Sequence, residues 1–249
     1  MRLPFADIFI SRLAGAVMIV VATGIGFVVC QPAFAAEAQT SRAPNSMAAR
    51  VLACASCHGG EGQGTSDEYI PRLAGKPSGY LLNQLIAFRD GRRKYPPMRH
   101  LLVYLPDAFL AQMADYYAAR HPQLPAAVPG ATRADILARG EMLVRHGDAQ
   151  NNIPACSGCH GAEFTGQEPG IPGLLGLRAS YISAQLGAWR YGTRTALAPD
   201  CMQVIAGHLG EEDVMAISAW LASHPAPVDT APAPRGSLPM PLPCGSQPN

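Results

Sequence analysis

Charged and aromatic side chains are both scarce in this sequence. Asp, Glu, Lys and Arg make up 15% of its 249 residues, the aromatic residues make up 7%, and the formal net charge is +1. Such a nearly neutral chain gives no case for a nucleic-acid partner, because nucleic-acid-binding proteins carry basic patches. Gly (25) and Pro (23) are abundant, so loops should form a large part of the structure.

Clean alternation of apolar and polar residues, the mark of a half-buried strand, is missing as well. The apolar residues recur mainly at helical spacing, and several segments end at a glycine or begin with acidic residues that suit a helix N-terminus. The sequence therefore predicts an all-α fold of small helical domains. The predicted helices lie within residues 78–91, 105–120, 132–147, 179–192 and 209–225.

The first 35 residues have the features of an export signal. Arg2 and Arg12 flank a short polar start, residues 13–29 are almost entirely apolar, and Ala-Phe-Ala at 33–35 matches an A-x-A cleavage pattern. The alternative is an uncleaved anchor, because 17 apolar residues are just long enough to span a bilayer. Either interpretation places the rest of the chain outside the cytoplasm, where disulfides persist.

The remainder of the chain contains one unit twice. The stretch IPRLAGKPSGYLLNQLIAFRDGRR at 70–93 matches IPGLLGLRASYISAQLGAWRYGTR at 171–194, at an offset of 101 residues. A segment with three prolines separates the copies, and the Pro-rich end cannot bury enough apolar surface to order itself. The predicted organisation is a first domain at 45–121, a linker at 122–131, a second domain at 132–225 and a disordered tail at 226–249.

Each unit contains the motif C-x-x-C-H, within ACASCHGGEGQG at 53–64 and within ACSGCHGAEFTG at 155–166. Side chains at i, i+3 and i+4 share one face of a helical turn. In an exported chain this motif is the attachment signature of haem c. Each thiol forms a thioether with a haem vinyl group, and the histidine ligates the iron. The residues are Cys54, Cys57 and His58 in the first unit and Cys156, Cys159 and His160 in the second.

Three other interpretations of the motif are weaker. A zinc site needs four ligands, and Cys201 and Cys244 do not supply a second cluster in each unit. A thioredoxin-like C-x-x-C site belongs to a βαβ context, which the helical pattern lacks. A disulfide between cysteines three residues apart is strained and uncommon. The repetition of the whole motif within a repeated unit favours haem attachment.

A second iron ligand is expected on a loop before the last helix of each unit. Met98 and Met202 each precede a repeat-equivalent leucine by seven residues, and each follows a proline-containing irregular segment. They lie 40 and 42 residues after the motif histidines, which leaves room for a helix and a loop to pass over the far side of the haem. The other residues considered are Met113 and Met215, expected in the core, and His100 and His208, the next candidate ligands.

The repeated pattern CxxCHG, IPxLxG, YxxxQLxAxRxGxR and a downstream methionine resembles the di-haem class I cytochromes c of the cytochrome c4 type. The resemblance covers residues 45–225. It implies two cytochrome c domains that face each other in the periplasm, each with one haem c held by a histidine and a methionine. It also implies that the carbonyl groups of Pro71 and Pro172 accept hydrogen bonds from the axial histidines. The Pro-rich tail, Cys201 and Cys244 depart from the pattern.

Ligation by histidine and methionine leaves no open position on the iron, so the sequence predicts an electron carrier with no chemistry of its own. The thioether ligand and an apolar shell both favour Fe(II). The expected partners are redox proteins, namely quinol–cytochrome c reductase, a terminal oxidase or a dehydrogenase, and association with the membrane is open. Two alternatives remain: the cytochrome subunit of a dehydrogenase complex, and a haem-based enzyme or gas sensor with a vacant sixth position.

Charge is divided unevenly between the two halves. Residues 36–125 contain 10 Lys and Arg against 7 Asp and Glu, a net +3, whereas residues 126–225 contain 6 against 9, a net −3. A basic cluster beside Met98 is either a solvated face, with one arginine pairing a haem propionate, or a docking surface for an acidic partner. Its members are Arg89, Arg92, Arg93, Lys94 and Arg99.

Two cysteines remain once the four motif cysteines and Cys30 of the leader are set aside. Cys201 and Cys244 are an even number in an oxidising compartment, so we expect a disulfide that ties the tail back beside Met202. The alternative is two free thiols, with Cys201 buried and Cys244 in solvent.

Overall fold

The structure, a computed structural model, describes residues 45–65, 69–124, 126–127 and 132–247. The predicted leader, with Cys30, and part of the predicted linker lie outside these residues. In the described part of the chain, no helix combines the length and the hydropathy needed to cross a membrane.

Helices form the first half around a single apolar core. They are α1 (Met47–Arg50), α2 (Leu52–His58), α3 (Ser78–Arg89), α4 (Pro96–Leu102) and α5 (Asp107–Ala118). The central contact is between α3 and α5, while α4 packs on α3 and α1 packs against α2 and α5. Leu110 and Ala114 of α5 are almost fully buried in this core.

Five further helices and one short strand pair form the second half. They are α6 (Ala134–His146), α7 (Ser157–His160), β1 (Gly166–Gln167), β2 (Ile171–Pro172), α8 (Ala179–Arg190), α9 (Cys201–His208) and α10 (Glu211–Ser223), with a 3₁₀ turn at Ala149–Asn151. The central contact is between α6 and α10. A Cβ at Gly140 of α6 would lie 2.2 Å from the carbonyl oxygen of Ala216, so only glycine permits this close crossing.

The all-α prediction is confirmed, with β1 and β2 as a small antiparallel addition. The prediction that Met98 and Met202 lie on loops is wrong, because both lie in the first turn of a short helix, α4 and α9. Prolines at the start of α4 suit the first helical turn, and the Asp200 side chain caps α9 by accepting a hydrogen bond from the Gln203 amide.

The two halves join through a short antiparallel bridge between repeat-equivalent segments. Arg93 and Arg194 pair across it. The Lys94 amide donates to the Thr193 carbonyl at 2.9 Å, and the Thr195 amide donates to the Arg92 carbonyl at 2.7 Å. Because each half contributes the same segment, the junction is approximately two-fold symmetric.

The C-terminal segment differs from the expected disordered tail. Residues 226–247 lie along the second half, and Ala233 forms a parallel bridge with Gln167. The expected disulfide between Cys201 and Cys244 is confirmed. Backbone and side-chain hydrogen bonds together with this covalent link order a segment whose few apolar residues could not do so alone.

Candidate haem-binding sites

Two short helices position the motif side chains. Each of α2 and α7 ends directly after its motif histidine at a glycine with a positive φ, +83° at Gly59 and +84° at Gly161. Glycine adopts this conformation without strain, so the chain can leave the helix at once and run back past the histidine. All four motif cysteines are free thiols, as attachment to a haem requires.

Each motif histidine is held by a backbone carbonyl of its own half. The Nδ1 of His58 lies 2.9 Å from the Pro71 carbonyl oxygen, and the Nδ1 of His160 lies 2.7 Å from the Pro172 carbonyl oxygen. Burial lowers the pKa of His58, and it lowers the pKa of His160 to about 4, although both hydrogen bonds act in the opposite direction. A neutral ring that donates Nδ1–H keeps the Nε2 lone pair free for a metal.

The second half contains a large apolar cavity beside its motif. Its empty volume is about 1300 Å³, including the open mouth. Cys156, Cys159 and His160 line one part of the wall, and Met202 lines another. Apolar side chains of α8, α9 and α10 supply a further part of the wall, among them Ile182, Leu186, Ile205, Ile217 and Leu221.

Each methionine proposed as a ligand packs against the core of its own half. Met98 packs against the same core as Cys54, and Met202 packs against the same core as Cys156. Met113 is buried as expected, but the expectation that Met215 is a core residue is wrong, because its side chain is 50% exposed. The next candidate ligands, His100 and His208, are both exposed.

Three relatives place these sites in a known family. Residues 47–116 match the cytochrome c family. The chain is 37% identical to a thiosulfate dehydrogenase electron acceptor of Thiomonas intermedia, covering 74% of this chain and 85% of that protein. It is also 37% identical to cytochrome c4 of Pseudomonas aeruginosa, covering 70% and 84%. The crystal structure of reduced cytochrome c4 from Pseudomonas stutzeri superposes with a TM-score of 0.62 at 31% identity, covering 71% of this chain and 95% of that one.

The chain belongs to the di-haem cytochromes c of the cytochrome c4 type. It is therefore an electron-transfer protein with two covalently bound haem c groups and redox proteins as partners. Among the described residues, no group of three or more His, Cys, Asp and Glu side chains is arranged to hold a bare metal ion.

Buried cations without carboxylate partners fit a c4-type cytochrome, because haem carries carboxylates on its porphyrin edge. Four such side chains are at most 8% exposed, and none forms an ion pair among the described residues. Burial of an unpaired cation is costly. The four are Arg72, Lys76, Arg93 and Arg194.

Two buried donors strengthen this fit. The Arg72 Nε and the Trp189 Nε1 have no hydrogen-bond partner in the part of the chain that the structure describes. Buried polar atoms are nearly always paired, so these N–H groups have room for an acceptor. Trp189, Lys76 and Arg194 all line the cavity of the second half. The cavity therefore combines apolar walls with donors suited to an anionic edge.

Arginines at equivalent positions link the two halves of the c4-type cytochrome. Each guanidinium donates to the glutamine of its own half and to the tyrosine and glutamine of the other half, at 2.7–3.3 Å. The guanidinium of Arg93 stacks on the Phe88 ring, and that of Arg194 stacks on the Trp189 ring. The hydrogen-bonding residues are Gln84, Tyr80 and Arg93 in the first half and Gln185, Tyr181 and Arg194 in the second.

The basic cluster at 89–99 is therefore divided between two environments. Arg93 faces inward at the junction, and Arg89 pairs with Asp90 and Asp107. Lys94 and Arg99 are exposed. The repeat does contain a signal for the role of Arg93. An arginine occupies the same position in both halves, as Arg93 and Arg194, which indicates a role shared by the two halves.

Lys76 and Trp189 line the cavity but are not identified by any motif of the sequence. Both break the repeat, because Lys76 is equivalent to Leu177 and Trp189 is equivalent to Phe88. Positions that match between the two repeats do not include such residues. Lys76 belongs to the first half, yet its Nζ donates to the Gly173 carbonyl of the second half at 2.9 Å.

Proposed function

We propose that this c4-type cytochrome is an exported periplasmic carrier that passes electrons between redox proteins through two haems with histidine and methionine ligands. In the first half, Cys54 and Cys57 attach the haem, and His58 and Met98 are the axial ligands. In the second half, these roles belong to Cys156, Cys159, His160 and Met202. Pro71 and Pro172 orient the two histidines.

The cavity of the second half carries this proposal. The attachment cysteines, the histidine and the methionine all line it, although Met202 lies 42 residues beyond His160 in the chain. Most of the remaining wall is apolar, with Lys76, Arg194 and Asp200 as its charged members. In the first half, Met98 and Cys54 share one core in the corresponding way, which supports equivalent ligands there.

Bound haem supplies an iron that changes its charge by one electron, and the side chains of this protein determine how easily it does so. His160 is fixed by Pro172 and stays neutral, so it remains available as a ligand. The methionine thioether is a soft ligand that favours Fe(II). The apolar walls exclude water and disfavour the additional positive charge of Fe(III). A haem held by both the histidine and the methionine would offer substrates no free position on its iron.

Substitution of the methionines tests the ligand assignment. Met98→Ala and Met202→Ala should each let the reduced protein bind one carbon monoxide per chain, and each should lower one reduction potential by on the order of 100 mV, since axial ligands set haem potentials over a wide range. Met215→Ala, an exposed methionine, is the matched control and should change neither quantity. Unchanged carbon monoxide binding in Met202→Ala, with a change in His208→Ala, would contradict the assignment.

A role as a dedicated acceptor for a dehydrogenase is the second candidate. It is supported by the similarity to the thiosulfate dehydrogenase electron acceptor of Thiomonas intermedia. Affinity purification of the tagged protein from native membranes and periplasm distinguishes the two candidates. A stable complex with a dehydrogenase subunit would favour the acceptor role, and recovery of the free cytochrome would favour a mobile carrier.

A further inference from the structure

The C-terminal segment at 226–247, here called the strap, runs along the second half and is held at several points. The Ala233 amide donates to the Gly166 carbonyl, and the Ala233 carbonyl accepts from the Glu168 amide, both at 2.9 Å. The Leu238 amide donates to the Gln167 side chain at 2.7 Å. Near the end of the strap, the Cys201–Cys244 disulfide fixes it to α9.

The last residues of the strap are bound as firmly as the first. The Gln247 side chain accepts from the Gly170 amide at 2.8 Å and donates to the Glu168 carbonyl at 2.7 Å. The Gly245 amide donates to the Pro199 carbonyl at 2.8 Å. The strap is therefore part of the folded second half along its described length.

The strap covers the turn that carries the attachment cysteines of the second half. A Cβ at Gly158, which lies between the two cysteines, would be 3.8 Å from Pro241 Cγ. A Cβ at Gly161 would be 3.9 Å from Leu238 Cδ1. Cys244 and Ser246 also line the cavity of the second half. Cys159 is accordingly only 9% exposed.

The corresponding turn of the first half is open to solvent. Cys57, the equivalent of Cys159, is exposed, and so are Ala53 and Ser56 of the same helix. Leu52 is 67% exposed, so this face presents an apolar side chain next to the exposed Cys57. We refer to Leu52, Ala53, Ser56 and Cys57 as the open α2 face.

We propose that the strap closes the cysteine edge of the second haem site to redox partners, so that electrons enter and leave through the open α2 face of the first half. This inference rests on the proposed haem sites. A donor loses one electron to the first site, which passes it across the junction to the second site or onward to an acceptor. No bond is made or broken in these steps. Electron transfer slows steeply with distance, so a covered edge exchanges electrons far more slowly than an exposed one.

The partner that fits the open α2 face is a redox protein with acidic side chains around an apolar contact area. Arg50 is exposed at the end of α1, directly before α2, and Lys94 and Arg99 are exposed elsewhere on the first half. Because Arg72, Lys76 and Arg93 are buried, the positive charge that a partner meets comes from exposed side chains such as Arg50. The charge of Arg50 beside the open α2 face therefore favours an acidic partner there.

A double-mutant experiment with the haem-loaded protein tests the proposal. The probe is an acidic blue-copper protein in its Cu(II) form, and the readout is the second-order rate constant for oxidation of the fully reduced cytochrome. Leu52→Glu should lower this rate constant about tenfold, because a carboxylate on the open α2 face repels the probe. A strapless variant ending at Pro225, with Cys201→Ala to remove the unpaired thiol, should gain a second site of electron exchange.

The decisive comparison is the effect of Leu52→Glu with and without the strap. Its effect should shrink from about tenfold to about twofold in the strapless variant, because the second half then reacts directly. An equal effect in both backgrounds would overturn the proposal. Val228→Ala, an exposed strap position, is the matched control and should leave the rate constant unchanged.

A milder variant covers the case in which the strapless chain does not fold. Leu238→Ala with Pro241→Ala trims the two side chains over the cysteine turn and keeps the disulfide. It should weaken the effect of Leu52→Glu in the same direction. Haem content and the methionine–iron absorption of every variant are measured first, so that a failure of the haem-site assignment is recognised separately from a failure of the strap proposal.

Discussion

The two halves share one repeated sequence pattern but differ at positions around the proposed haem sites. Both place a histidine against a proline carbonyl, and both contribute an arginine to the junction. Three features belong to the second half alone. Trp189 replaces the Phe88 of the first half, Lys76 of the first half lines the cavity, and the strap covers the cysteine turn. On the proposed assignment, the repeated residues form the two haem sites and the unrepeated ones make the sites unequal.

The largest expected effect concerns the independence of the two sites. Cys156→Ala with Cys159→Ala should reduce the haem content from two per chain to one, because each pair of thiols attaches its own haem. Pyridine haemochrome analysis after acid-acetone extraction measures this ratio. The matched variant is Cys54→Ala with Cys57→Ala, which should also give one. Loss of both haems from either variant would show that the halves cannot fold separately around their haems.

Most of this organisation could be predicted from the sequence, because it depends on local spacing. The C-x-x-C-H turns and the long helices follow from residues within one unit, and comparison of the two units matches Met98 with Met202. The strap could not be predicted in the same way. The strap is ordered by hydrogen bonds such as those between Leu238 and Gln167 and between Gln247 and Gly170. The partners are more than 70 residues apart in the chain, and composition alone does not reveal such pairs.

The same limit explains the missed residues at the junction. Lys76 lies in a helix-flanking turn with no motif of its own, and its function depends on packing against the other half. Short helices α4 and α9 were also missed, because seven or eight residues give little periodicity and the prolines beside them suggest a loop.

A second prediction concerns the strap disulfide, which only the second half has. Cys244→Ser should lower the free energy of unfolding of the second half by about 2 kcal/mol. A loop of 43 residues gives roughly 4 kcal/mol by the loop-entropy estimate, and the remaining strap contacts reduce this value. Denaturant unfolding followed by Trp220 fluorescence measures the change. Two free thiols in the unfolded, unreduced wild-type protein would contradict the disulfide.

A third prediction concerns the reduction potentials of the two haems. Burial lowers the pKa of Lys76, and Arg72, Arg194 and Arg93 lower it further, so its ammonium form requires a nearby anion. A haem carboxylate bound in the cavity of the second half would meet this requirement. The ammonium then favours Fe(II), and Lys76→Gln should lower the Fe(II)/Fe(III) ratio of the second haem about tenfold at a fixed potential, a shift of about 59 mV.

Potentiometric titration with haem-methyl NMR assignments follows the two haems separately. The matched control is Lys94→Gln, which removes an exposed lysine from the same half and should shift neither potential. Lys76→Arg, which keeps the charge, should retain most of the wild-type value. Equal shifts of both haems in Lys76→Gln would mean that Lys76 acts through the net charge of the protein, and no selective contact with the second haem would remain.

The smallest expected effect belongs to Trp189, and it addresses the difference between the halves most directly. Trp189→Phe makes the second half identical to the first at this position, where Phe88 already supports a stacked arginine. The substitution therefore preserves the apolar packing and removes one N–H group, which has no hydrogen-bond partner among the described residues. If that group donates to a haem carboxylate, its loss raises the negative charge density near the iron. The Fe(II)/Fe(III) ratio of the second haem at a fixed potential should then fall about twofold. The effect is small because one hydrogen bond to a charged acceptor is lost at a distance from the iron. The first haem should not change. A normal fold with an unchanged second potential would mean that the indole contributes packing alone, and the selectivity between the two haems would then rest on Lys76.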